Sequence, residues 1–407
     1  MPYSPHSRPL TVLCLASYEK GQAFMRQCKR SGCRTLLLTS QSLEHGDWPR
    51  EALDGIFYIA DKDKEWDLPD LIKGVSFLAR TEKFDRIVAL DDFDVEKAAM
   101  LREHLRVPGM GDTTSRYFRD KLAMRMRARN ENISVPRFCP ILNYDDLRTF
   151  LDEVSPPYLL KPRSSAGTIG IKKIEGAESL WRTLDELGDR QSFYILEEFI
   201  PGDIFHVDTI VDDKKTLFSL VSKYGKPPLE VSHEGRVFTS GNVLRNSDDD
   251  RTLKGLNKLI LKAFGYVRGV SHSEYIKAED GTYYFLETSA RVAGAHIAEM
   301  IEAATGVDLW AEWAKLEITP EGAGEYMAPV PKNDYAGLLV SLSKQETPDL
   351  SAFDDPEIFW KMNKKHHVGL AVSSPDFERT RTLVTQYNDR IYADFFTSLS
   401  IPGKASS

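Results

Sequence analysis

Asp280 and Gly281 separate two runs of strand-forming residues, and this dipeptide constrains the fold more than any other short stretch of the chain. Asp-Gly between such runs favours a tight β-hairpin, because both residues accept the positive φ that a type I′ turn requires. With a two-residue loop, residues face each other when their numbers sum to 561, as 280 and 281 do. Glu274 and Glu287 meet this condition, so the sequence predicts that they lie opposite each other on one face of the hairpin.

Carboxylates that face each other across a β-ladder destabilise it, so this pair of glutamates requires an explanation. Two carboxylates about 5 Å apart suit a hard divalent cation such as Mg²⁺, which takes oxygen ligands and is commonly completed by phosphate oxygens. Side-chain alternation puts His272, Ser289 and Arg291 on the same face. A solvated hairpin face with scattered charge is the alternative, and a longer loop would change the register.

The composition is that of a globular protein with more than one structural unit. Of the 407 residues, 42% are hydrophobic and 28% are charged. The formal net charge of −8 argues against a nucleic-acid partner held by bulk electrostatics. The N-terminal apolar run is too short for a signal peptide or a membrane span, so no membrane partner is expected. The cysteines lack metal-site or disulfide spacing and indicate reduced thiols in the cytoplasm: Cys14, Cys28, Cys33 and Cys139.

Strand-like and helix-like segments alternate in the first part of the chain. "LTVLCLAS", "RTLLLTS" and "FDRIVALDD" have the composition of buried strands, and segments with helical periodicity separate them. This alternation predicts parallel βαβ units in a doubly wound domain up to about residue 112. From residue 113 the pattern changes, and residues 321–407 have the pattern of an α+β unit. The predicted fold class is therefore α/β followed by α+β.

Two lysines and a loop of small residues are candidate phosphate-binding groups. "LLKPRSSAGTIGIKKI" places Lys161 at the end of a hydrophobic strand, before a loop rich in glycine and serine. Small residues let backbone N–H groups approach phosphate oxygens, and such a loop can close as a lid. Lys121 lies on a predicted helix with several basic residues. The alternatives are a mobile hairpin tip for the loop and a solvated helix face for Lys121.

The stretch "ILEEFIPGD" has the pattern of a hinge between two strands. Glu197 and Glu198 end an apolar strand before a Pro-Gly turn. Backbone groups at such a hinge can meet the edge of an adenine, with Phe199 and Ile200 packing on the ring. An ordinary strand end followed by a turn is the alternative.

Two further groups of polar residues each have two interpretations. His206 and Asp208 share a strand face, where a structural pair is the simpler interpretation. Asp91, Asp92 and Asp94 follow the third strand, and ligands gather at the carboxyl ends of strands in doubly wound domains. Capping of the next helix is the alternative for these aspartates.

Taken in their order along the chain, the motifs resemble those of the ATP-grasp superfamily, especially stand-alone carboxylate–amine ligases with a biotin-carboxylase-like arrangement. The resemblance extends from about Leu10 to about Gly306 and is sharpest over residues 118–129, 158–172, 195–208 and 270–296. It implies an N-terminal Rossmann-like pre-ATP-grasp domain (1–112), an ATP-grasp domain (113–320) with a hinged lid subdomain at about 134–198, and a C-terminal α+β portion (321–407).

The resemblance also implies roles for individual residues. It implies that ATP is bound by Lys121, Lys161, Ser164, Ser165, Gly167, Gly170, Glu197, Glu198, Phe199 and Ile200, with Asp203 or His206 near the ribose. It implies that Glu274, Glu287 and Ser289 bind Mg²⁺ or Mn²⁺ and that Arg291 and Lys161 are catalytic. It also implies that Arg291, Gly294 and His296 contact the acid substrate. Ser289 departs from the family pattern Glu-x-Asn-x-Arg. Its hydroxyl is a shorter and weaker ligand, which leaves open whether one metal ion binds or two.

The activity implied is that of an ATP-dependent ligase, which joins a carboxylic acid to an amine through an acyl phosphate. The expected acid is an amino acid, the partners are small molecules, and relatives with this arrangement are often homodimers. One alternative is a bicarbonate-activating carboxylase component, although the chain contains no biotin-carrier Met-Lys-Met motif. The other is a nucleotide-binding regulator that has lost catalysis, an interpretation motivated by Ser289.

Overall fold

The computed structural model describes residues 8–62, 65–319 and 326–398, and its first elements alternate between strand and helix. They are β1 (Thr11–Ala16), α1 (Gln22–Arg30), β2 (Arg34–Ser40), β3 (Gly55–Ile59), β4 (Asp61–Lys62), β5 (Glu65–Trp66), α2 (Leu68–Leu78), β6 (Arg86–Ala89) and α3 (Val95–Leu105). Four of the strands form a parallel sheet in the order β3-β2-β1-β6. The predicted parallel βαβ arrangement is therefore confirmed.

Helices cover both faces of the parallel sheet, which explains its continuous runs of buried residues. On β1, Val12 and Cys14 pack in the apolar cluster that contains Phe24 of α1. The intervening Leu13 and Leu15 pack in a second cluster with residues of α2 and α3. The acidic stretch at residues 91–94 follows β6 and therefore lies at the carboxyl edge of this sheet, where ligands bind in open parallel sheets.

The next segment forms a second, antiparallel sheet in the order β7-β10-β8-β9. Its apolar core includes residues from all four strands and the two helices that follow β7 and β9. The elements are α4 (Asp112–Ser115), α5 (Lys121–Asn130), β7 (Phe138–Pro140), α6 (Tyr144–Glu153), β8 (Tyr158–Pro162), β9 (Lys172–Ile174), α7 (Ala177–Leu187) and β10 (Tyr194–Glu198). This sheet falls within the predicted lid, whose boundaries stay a prediction.

The third sheet has eight strands, which pair antiparallel in the order β15-β14-β11-β12-β13-β16-β18-β17. Its elements and the helices between them are β11 (Gly202–Asp212), β12 (Lys215–Tyr224), α8 (Pro228–Glu234), β13 (Phe238–Asn242), α9 (Asp248–Ala263), β14 (Gly269–Ala278), β15 (Tyr283–Ser289), α10 (Ile297–Thr305), α11 (Leu309–Ile318), β16 (Tyr335–Leu342), β17 (Ile358–Lys361), β18 (His367–Ser374) and α12 (Phe377–Asp394).

The C-terminal strands extend the same sheet that carries the hairpin. β13 pairs with β16, so that Gly241 faces Gly337 and Ser240 faces Leu338. The predicted α+β character of this region is confirmed, while the predicted boundary between residues 320 and 321 lies outside the described residues. No helix in the described ranges combines the length and the apolar character needed to span a bilayer.

The hairpin of β14 and β15 forms as predicted, but its loop is longer. The Ala278 amide donates to the Thr282 carbonyl, and the Gly281 amide donates back to the Ala278 carbonyl. The loop therefore consists of residues 279–281, with Gly281 at φ +87°. Asp-Gly also suits this geometry, because glycine accepts the left-handed conformation that ends a three-residue loop. The predicted two-residue loop is wrong.

A β-bulge compensates for the extra loop residue. Tyr275 faces Phe285, one residue away from the predicted register, and the register then shifts between Glu274 and Tyr275. Leu286 is the additional residue on β15, since a bulge lets two residues oppose one. Beyond the bulge, Glu274 faces Glu287. The predicted pairing of the two glutamates is confirmed, although the loop that suggested it has a different length.

Candidate active site

Residues from all three sheets line one cavity of about 750 Å³. It receives Asp92 from the carboxyl edge of the parallel sheet, Lys161 from the antiparallel sheet and Glu274 from the eight-stranded sheet. Most of the side chains predicted from the sequence lie on its walls: Lys121, Lys161, Ser165, Gly167, Glu198, Phe199, Ile200, Glu274, Glu287, Ser289, Arg291 and Gly294.

The two glutamates each present one free carboxylate oxygen to the cavity. Tyr224 donates its hydroxyl to Glu274 Oε1 at 2.7 Å, and Lys121 Nζ lies 2.8 Å from Glu287 Oε2. Among the described residues, none donates to Glu274 Oε2 or to Glu287 Oε1. Two such oxygens on neighbouring strands are hard ligands of the kind that Mg²⁺ and Mn²⁺ prefer.

Lys121 owes its position to the capped start of α5. Asp120 accepts a hydrogen bond from the Leu122 amide at 2.9 Å, which satisfies one of the free N–H groups at the helix start. Asp120 also forms an ion pair with Arg163, just beyond β8. Lys121 Nζ donates to the Ser165 carbonyl at 2.9 Å. The start of the helix is therefore joined to the loop that follows β8.

Lys161 lies above a buried carboxylate instead of being free on the surface. Its Nζ donates to Glu197 Oε2 at 2.6 Å, and Arg125 Nε lies 2.7 Å from Glu197 Oε1. Burial alone would raise the pKa of Glu197, but Arg125 and Lys161 outweigh it and lower the pKa to about 2. The Glu197 side chain is fully buried and holds Lys161, and the predicted contact of this residue with adenine stays a prediction.

The loop after β8 offers backbone donors to the cavity. The amides of Ser165, Ala166 and Gly167 donate to no carbonyl within the described ranges, and Gly167 has φ +63°. Such unpaired N–H groups are suitable donors to phosphate oxygens. Two predicted members of the loop lie outside the cavity wall: Ser164, whose carbonyl accepts from Arg119, and Gly170, which packs against Pro162.

The predicted hinge places apolar side chains and backbone groups at the cavity. Phe199 and Ile200 line the wall, and Lys173 Nζ lies 5.4 Å from the centre of the Phe199 ring. The Arg137 amide donates to the side chain of Glu198, with Oε1 at 2.7 Å, and not to the Glu198 backbone carbonyl. The Ile200 amide donates to no carbonyl of the described chain. A carbonyl and an amide two residues apart can therefore meet the edge of a planar base.

Arg291 reaches the cavity as half of a buried ion pair with Asp92. Its Nε donates to Asp92 Oδ2 at 2.8 Å, and its Nη2 contacts the same oxygen. Burial alone would raise the pKa of Asp92, but Arg291 and Arg119 hold it well below the usual range. The Ser289 hydroxyl lies beside Asp92 and favours its charged form. Even so, Asp92 Oδ1 accepts no hydrogen bond of regular geometry from the described residues.

The three N-terminal aspartates divide between the two interpretations. Asp92 lines the cavity. Asp91 accepts from the Phe93 amide at 3.1 Å and caps the following helical turn. Asp94 accepts from the Ser17 amide at 2.7 Å and is fully buried. Only the middle residue of the three is therefore available to a ligand.

Three further residues predicted to bind ligands do not line the cavity. Asp203 projects from the face of β11 opposite to Ile204 and pairs with Lys223 at 2.7 Å. His206 is fully buried, and partners occupy both of its ring nitrogens. The His296 ring stacks on Trp360 with centroids 4.5 Å apart. The predicted contacts of Asp203 or His206 with ribose, and of His296 with the acid, are therefore not supported.

Sequence reasoning missed Arg125 and Tyr224. Arg125 lies four residues after Lys121, a spacing that places both on one face of α5, so helical periodicity could have found it. Tyr224 ends β12, far in sequence from Glu274, and only the pairing of strands brings their side chains together. No local pattern indicates that contact.

The chain is similar in sequence to amino acid ligases. It is 28% identical over 235 residues to the L-arginine-specific L-amino acid ligase of Bacillus subtilis, a match that covers 56% of each chain. It is 23% identical over 247 residues to a D-alanine–D-alanine ligase of Cupriavidus taiwanensis, over 58% of this chain and 75% of that one. The match thus spans about half the length of the first of these relatives. No protein-family model matches the chain.

Solved structures identify the fold. The L-amino acid ligase of Bacillus licheniformis superposes with a TM-score of 0.74 at 16% identity, over 97% of this chain and all of that one. The biotin carboxylase domain of the Hydrogenobacter thermophilus 2-oxoglutarate carboxylase, solved with MgADP, ADP and bicarbonate, superposes with a TM-score of 0.69 at 16% identity, over 94% and 90% of the two chains. The chain has the ATP-grasp fold.

The order of the elements matches the fold class expected from the sequence. The parallel sheet comes first, the small antiparallel sheet follows, and the eight-stranded sheet carries the facing glutamates. All three contribute residues to one cavity.

Proposed function

We propose that this ATP-grasp protein is an ATP-dependent ligase that joins the carboxyl group of an amino acid to an amine. The observation that carries the proposal is the facing pair Glu274 and Glu287, each with one free oxygen, in the same cavity as Lys121, Lys161 and Arg291. The similarity to amino acid ligases supports the same activity. Formation of the amide requires an activated carboxyl group, and transfer of the γ-phosphoryl group of ATP to the acid supplies it as an acyl phosphate.

The donor set fits Mg²⁺ or Mn²⁺ bound to ATP. Glu274 Oε2 and Glu287 Oε1 would hold the cation, with Ser289 beside them, and all three residues line the cavity. When bound, the cation would neutralise charge on the phosphate oxygens and orient them. The free amides of residues 165–167 would cradle the same phosphates. The adenine would lie against Phe199 and Ile200, at the free backbone groups of the hinge.

The positive side chains of this chain would stabilise the charge that moves during phosphoryl transfer. Lys161 is fixed by Glu197, and Arg291 is fixed by Asp92, so neither cation has to reorganise when charge develops. Holding the acid and the phosphate in one orientation replaces a bimolecular encounter by a positioned one. Closure of the loop after β8 would exclude water, which otherwise hydrolyses an acyl phosphate.

The Arg291–Asp92 pair supports an α-amino acid as the acid substrate. An α-amino acid carries its ammonium group next to its carboxylate, and the cavity presents an arginine next to an aspartate. Asp92 Oδ1 is buried and accepts no hydrogen bond of regular geometry from the described part of the chain, which is costly unless a ligand supplies a donor. An ammonium group on Oδ1, with the neighbouring carboxylate toward Arg291, would satisfy both.

A bicarbonate-activating carboxylase is the second candidate, because the fold also matches a biotin carboxylase domain. Bicarbonate has no ammonium group for Asp92 Oδ1, and this favours the amino acid ligase. A regulator without catalysis is less well supported, since the lysine, glutamate and arginine side chains all line the cavity. A cytoplasmic location and a homodimer stay predictions.

A screen of acid–amine pairs tests the proposal. The purified protein is incubated with MgATP and pairs of amino acids, ADP release is followed, and products are identified by mass spectrometry. We expect ADP release that depends on both an acid and an amine, with an amide product. Bicarbonate-dependent ADP release without an amine would instead indicate a carboxylase. ATP binding without ADP formation across the panel would indicate a regulator.

Arg291→Ala provides a matched test of the site. We expect ATP binding to persist and turnover to fall by about 10²–10³-fold, because one preorganised charge is removed from the transferring phosphate. The measurements are nucleotide affinity by calorimetry and ADP release with a saturating acid and amine. Turnover close to that of the unaltered protein would remove Arg291 from the reaction.

A further inference from the structure

A chain of buried hydrogen bonds runs beneath the cavity on one face of the eight-stranded sheet. His206 Nδ1 donates to Asp208 Oδ2 at 2.7 Å, and His272 Nδ1 donates to Asp208 Oδ1 at 2.9 Å. At the far end, Ser240 Oγ lies 2.8 Å from His206 Nε2. His206 and Asp208 have at most 1% of their surface exposed, and His272 has 8%. The proposed reaction uses none of these side chains directly.

Asp208 determines the orientation of both imidazole rings. A buried carboxylate at this distance accepts hydrogen bonds, so each histidine must carry a proton on Nδ1 and turn Nε2 away from Asp208. For His272, that direction leads to the cavity, where Nε2 lies 3.5 Å from Glu274 Oε1. The rings of His206 and Tyr224 pack with centroids 4.8 Å apart, which fixes the tyrosine above the chain.

Tyr224 and His272 approach the same oxygen of Glu274. The Tyr224 hydroxyl donates to Oε1 at 2.7 Å, and His272 lies on the same side. Oε2 is left free and faces the cavity beside Glu287. Groups that hydrogen-bond a ligating carboxylate in this way set its orientation, and their loss typically weakens metal affinity by about 10–100-fold.

We infer that Tyr224, His272, Asp208 and His206 are positioning residues that hold Glu274 Oε1 so that Oε2 is presented to the catalytic cation. The inference rests on the proposed function only in assuming that Glu274 binds that cation. Asp208 acts on Glu274 indirectly, by orienting His272, and does not contact the ion. The four residues keep Glu274 from turning toward Lys121, which already holds Glu287.

A second metal site made by His206, Asp208 and His272 themselves is the competing interpretation. Their ligand atoms lie within 4.8 Å of one another. A cation there would have to replace both hydrogen bonds between the imidazoles and Asp208. The hydrogen-bonded chain already satisfies these atoms, so the structure favours the positioning role.

Binding of Mn²⁺ provides the test. Mn²⁺ is titrated into the 407-residue chain in the presence of a non-hydrolysable ATP analogue, and the bound ion is followed by electron paramagnetic resonance. For Tyr224→Phe and for Asp208→Asn, we expect the affinity for Mn²⁺ to fall by about 10-fold or more. The affinity for the nucleotide without metal, measured in the presence of a chelator, is expected to stay within about twofold.

Tyr275→Phe is the matched control for Tyr224→Phe. Tyr275 lies on β14, next to Glu274 but on the opposite face, and its buried hydroxyl donates to Asn257 at 2.9 Å. Both substitutions remove one buried hydroxyl, but only Tyr224 contacts Glu274. We expect Tyr275→Phe to leave the affinity for Mn²⁺ within about twofold. Circular dichroism identifies any variant that fails to fold, and Tyr224→Phe retains the ring that fills the site.

Three outcomes would overturn the inference. Unchanged Mn²⁺ affinity in Tyr224→Phe would remove the tyrosine from the positioning role. An equal loss in Tyr275→Phe would indicate a general effect of a disturbed sheet. Loss of one of two bound Mn²⁺ ions in Asp208→Asn, with the other unaffected, would show that the histidine cluster is a metal site. Because the titration needs neither acid nor amine, it can succeed even where no amide product forms.

Discussion

Three cationic side chains of the cavity wall are held by buried carboxylates. Glu197 holds Lys161 and Arg125, and Asp92 holds Arg291. A buried ion pair contributes little net stability, but removing one partner leaves an uncompensated charge. These pairs therefore fix the positions of cations on the cavity wall, and loss of either partner leaves a buried charge unpaired.

Glu197→Gln is expected to destabilise the fold at neutral pH. Arg125 and Lys161 would lose their common counter-charge, and breaking a buried ion pair typically costs about 3–5 kcal/mol. Urea denaturation at pH 7 measures the loss. Lys161→Met, which removes a cation and leaves Glu197 paired with Arg125, is the comparison and is expected to cost less.

The same residue gives the stability a defined pH dependence. The pKa of Glu197 is about 2 in the folded protein and is ordinarily 4.5. A lowered pKa favours the folded state above the ordinary value, so this contribution is present above about pH 4.5 and is lost as the pH falls toward 2. Between pH 5 and pH 3, the free energy of unfolding should fall more steeply in the unaltered protein than in Glu197→Gln. Parallel curves would contradict the assignment.

Asp92→Asn is expected to reduce the selectivity for α-amino acids. The amide presents no full negative charge to a substrate ammonium group, so kcat/KM for an amino acid should fall by about 10-fold or more, as for a lost charge-assisted hydrogen bond. The same acid without its amino group should be affected much less. Because Asp92 also holds Arg291, the informative quantity is the ratio of the two kcat/KM values. An unchanged ratio would argue against the ammonium contact.

For individual residues, the sequence predicts the position of a side chain when its partners are local or regularly spaced. Glu274, Glu287 and Arg291 could be placed on one face because strand alternation is regular. The sequence could not show that Glu197 is covered or that His206 is enclosed, since their partners come from other elements. A glutamate at a strand end is described equally well by a hinge contact and by a buried ion pair.

The hairpin places Glu274 opposite Glu287 even though its loop is one residue longer than the sequence predicts. The three-residue loop shifts the register by one residue, and the bulge at Leu286 shifts it back before Glu287. Loop length could not be read from the sequence, because Asp-Gly serves both two-residue and three-residue loops. The bulge has no signal of its own in this strand. The helices and strands themselves were predictable, since their apolar periodicity is strong.

The contact of the loop after β8 with ATP is expected to depend on the left-handed conformation of Gly167. A Cβ at this position meets no neighbouring atom, so any effect of Gly167→Ala arises from its φ of +63°. A non-glycine residue in this conformation costs about 1–2 kcal/mol. We expect KM for ATP to rise by about 10-fold. Steady-state kinetics with saturating acid and amine measures the change.

Gly32→Ala is the control for this substitution. Gly32 has φ +79°, also has open space around its Cα, and lies at the end of α1, outside the cavity wall. The same backbone strain there should lower stability but leave KM for ATP within about twofold. If both variants change KM equally, the loop has no special contact with the nucleotide.

The whole molecule brings its site together from sheets that are distant in sequence. Asp92 and Arg291 are separated by 199 residues, and their ion pair joins the parallel sheet to the eight-stranded one. The sequence indicated the order of these units, because strand–helix alternation gives way to hairpins near residue 113. It could not indicate that β16, β17 and β18 join the sheet of the hairpin, since that depends on the pairing of β13 with β16.

Binding of MgATP is expected to stabilise the whole molecule. A ligand at about 100 times its Kd adds about 2.7 kcal/mol to the free energy of unfolding, which corresponds to a rise in Tm of about 3 °C for a chain of 407 residues. Differential scanning fluorimetry measures the shift. In Glu287→Gln the part of the shift that requires Mg²⁺ should disappear. A full shift in that variant would show that the cation binds elsewhere.

The pairing of β13 with β16 also bears on attempts to shorten the protein. A chain cut ahead of Tyr335 would retain Lys121, Lys161, Glu274, Glu287 and Arg291. It would, however, leave β13 paired on one side only, with β12. A naked strand edge of this kind recruits other chains, so light scattering should detect aggregates of the shortened form. The C-terminal strands thus protect an edge of the sheet that carries the facing glutamates.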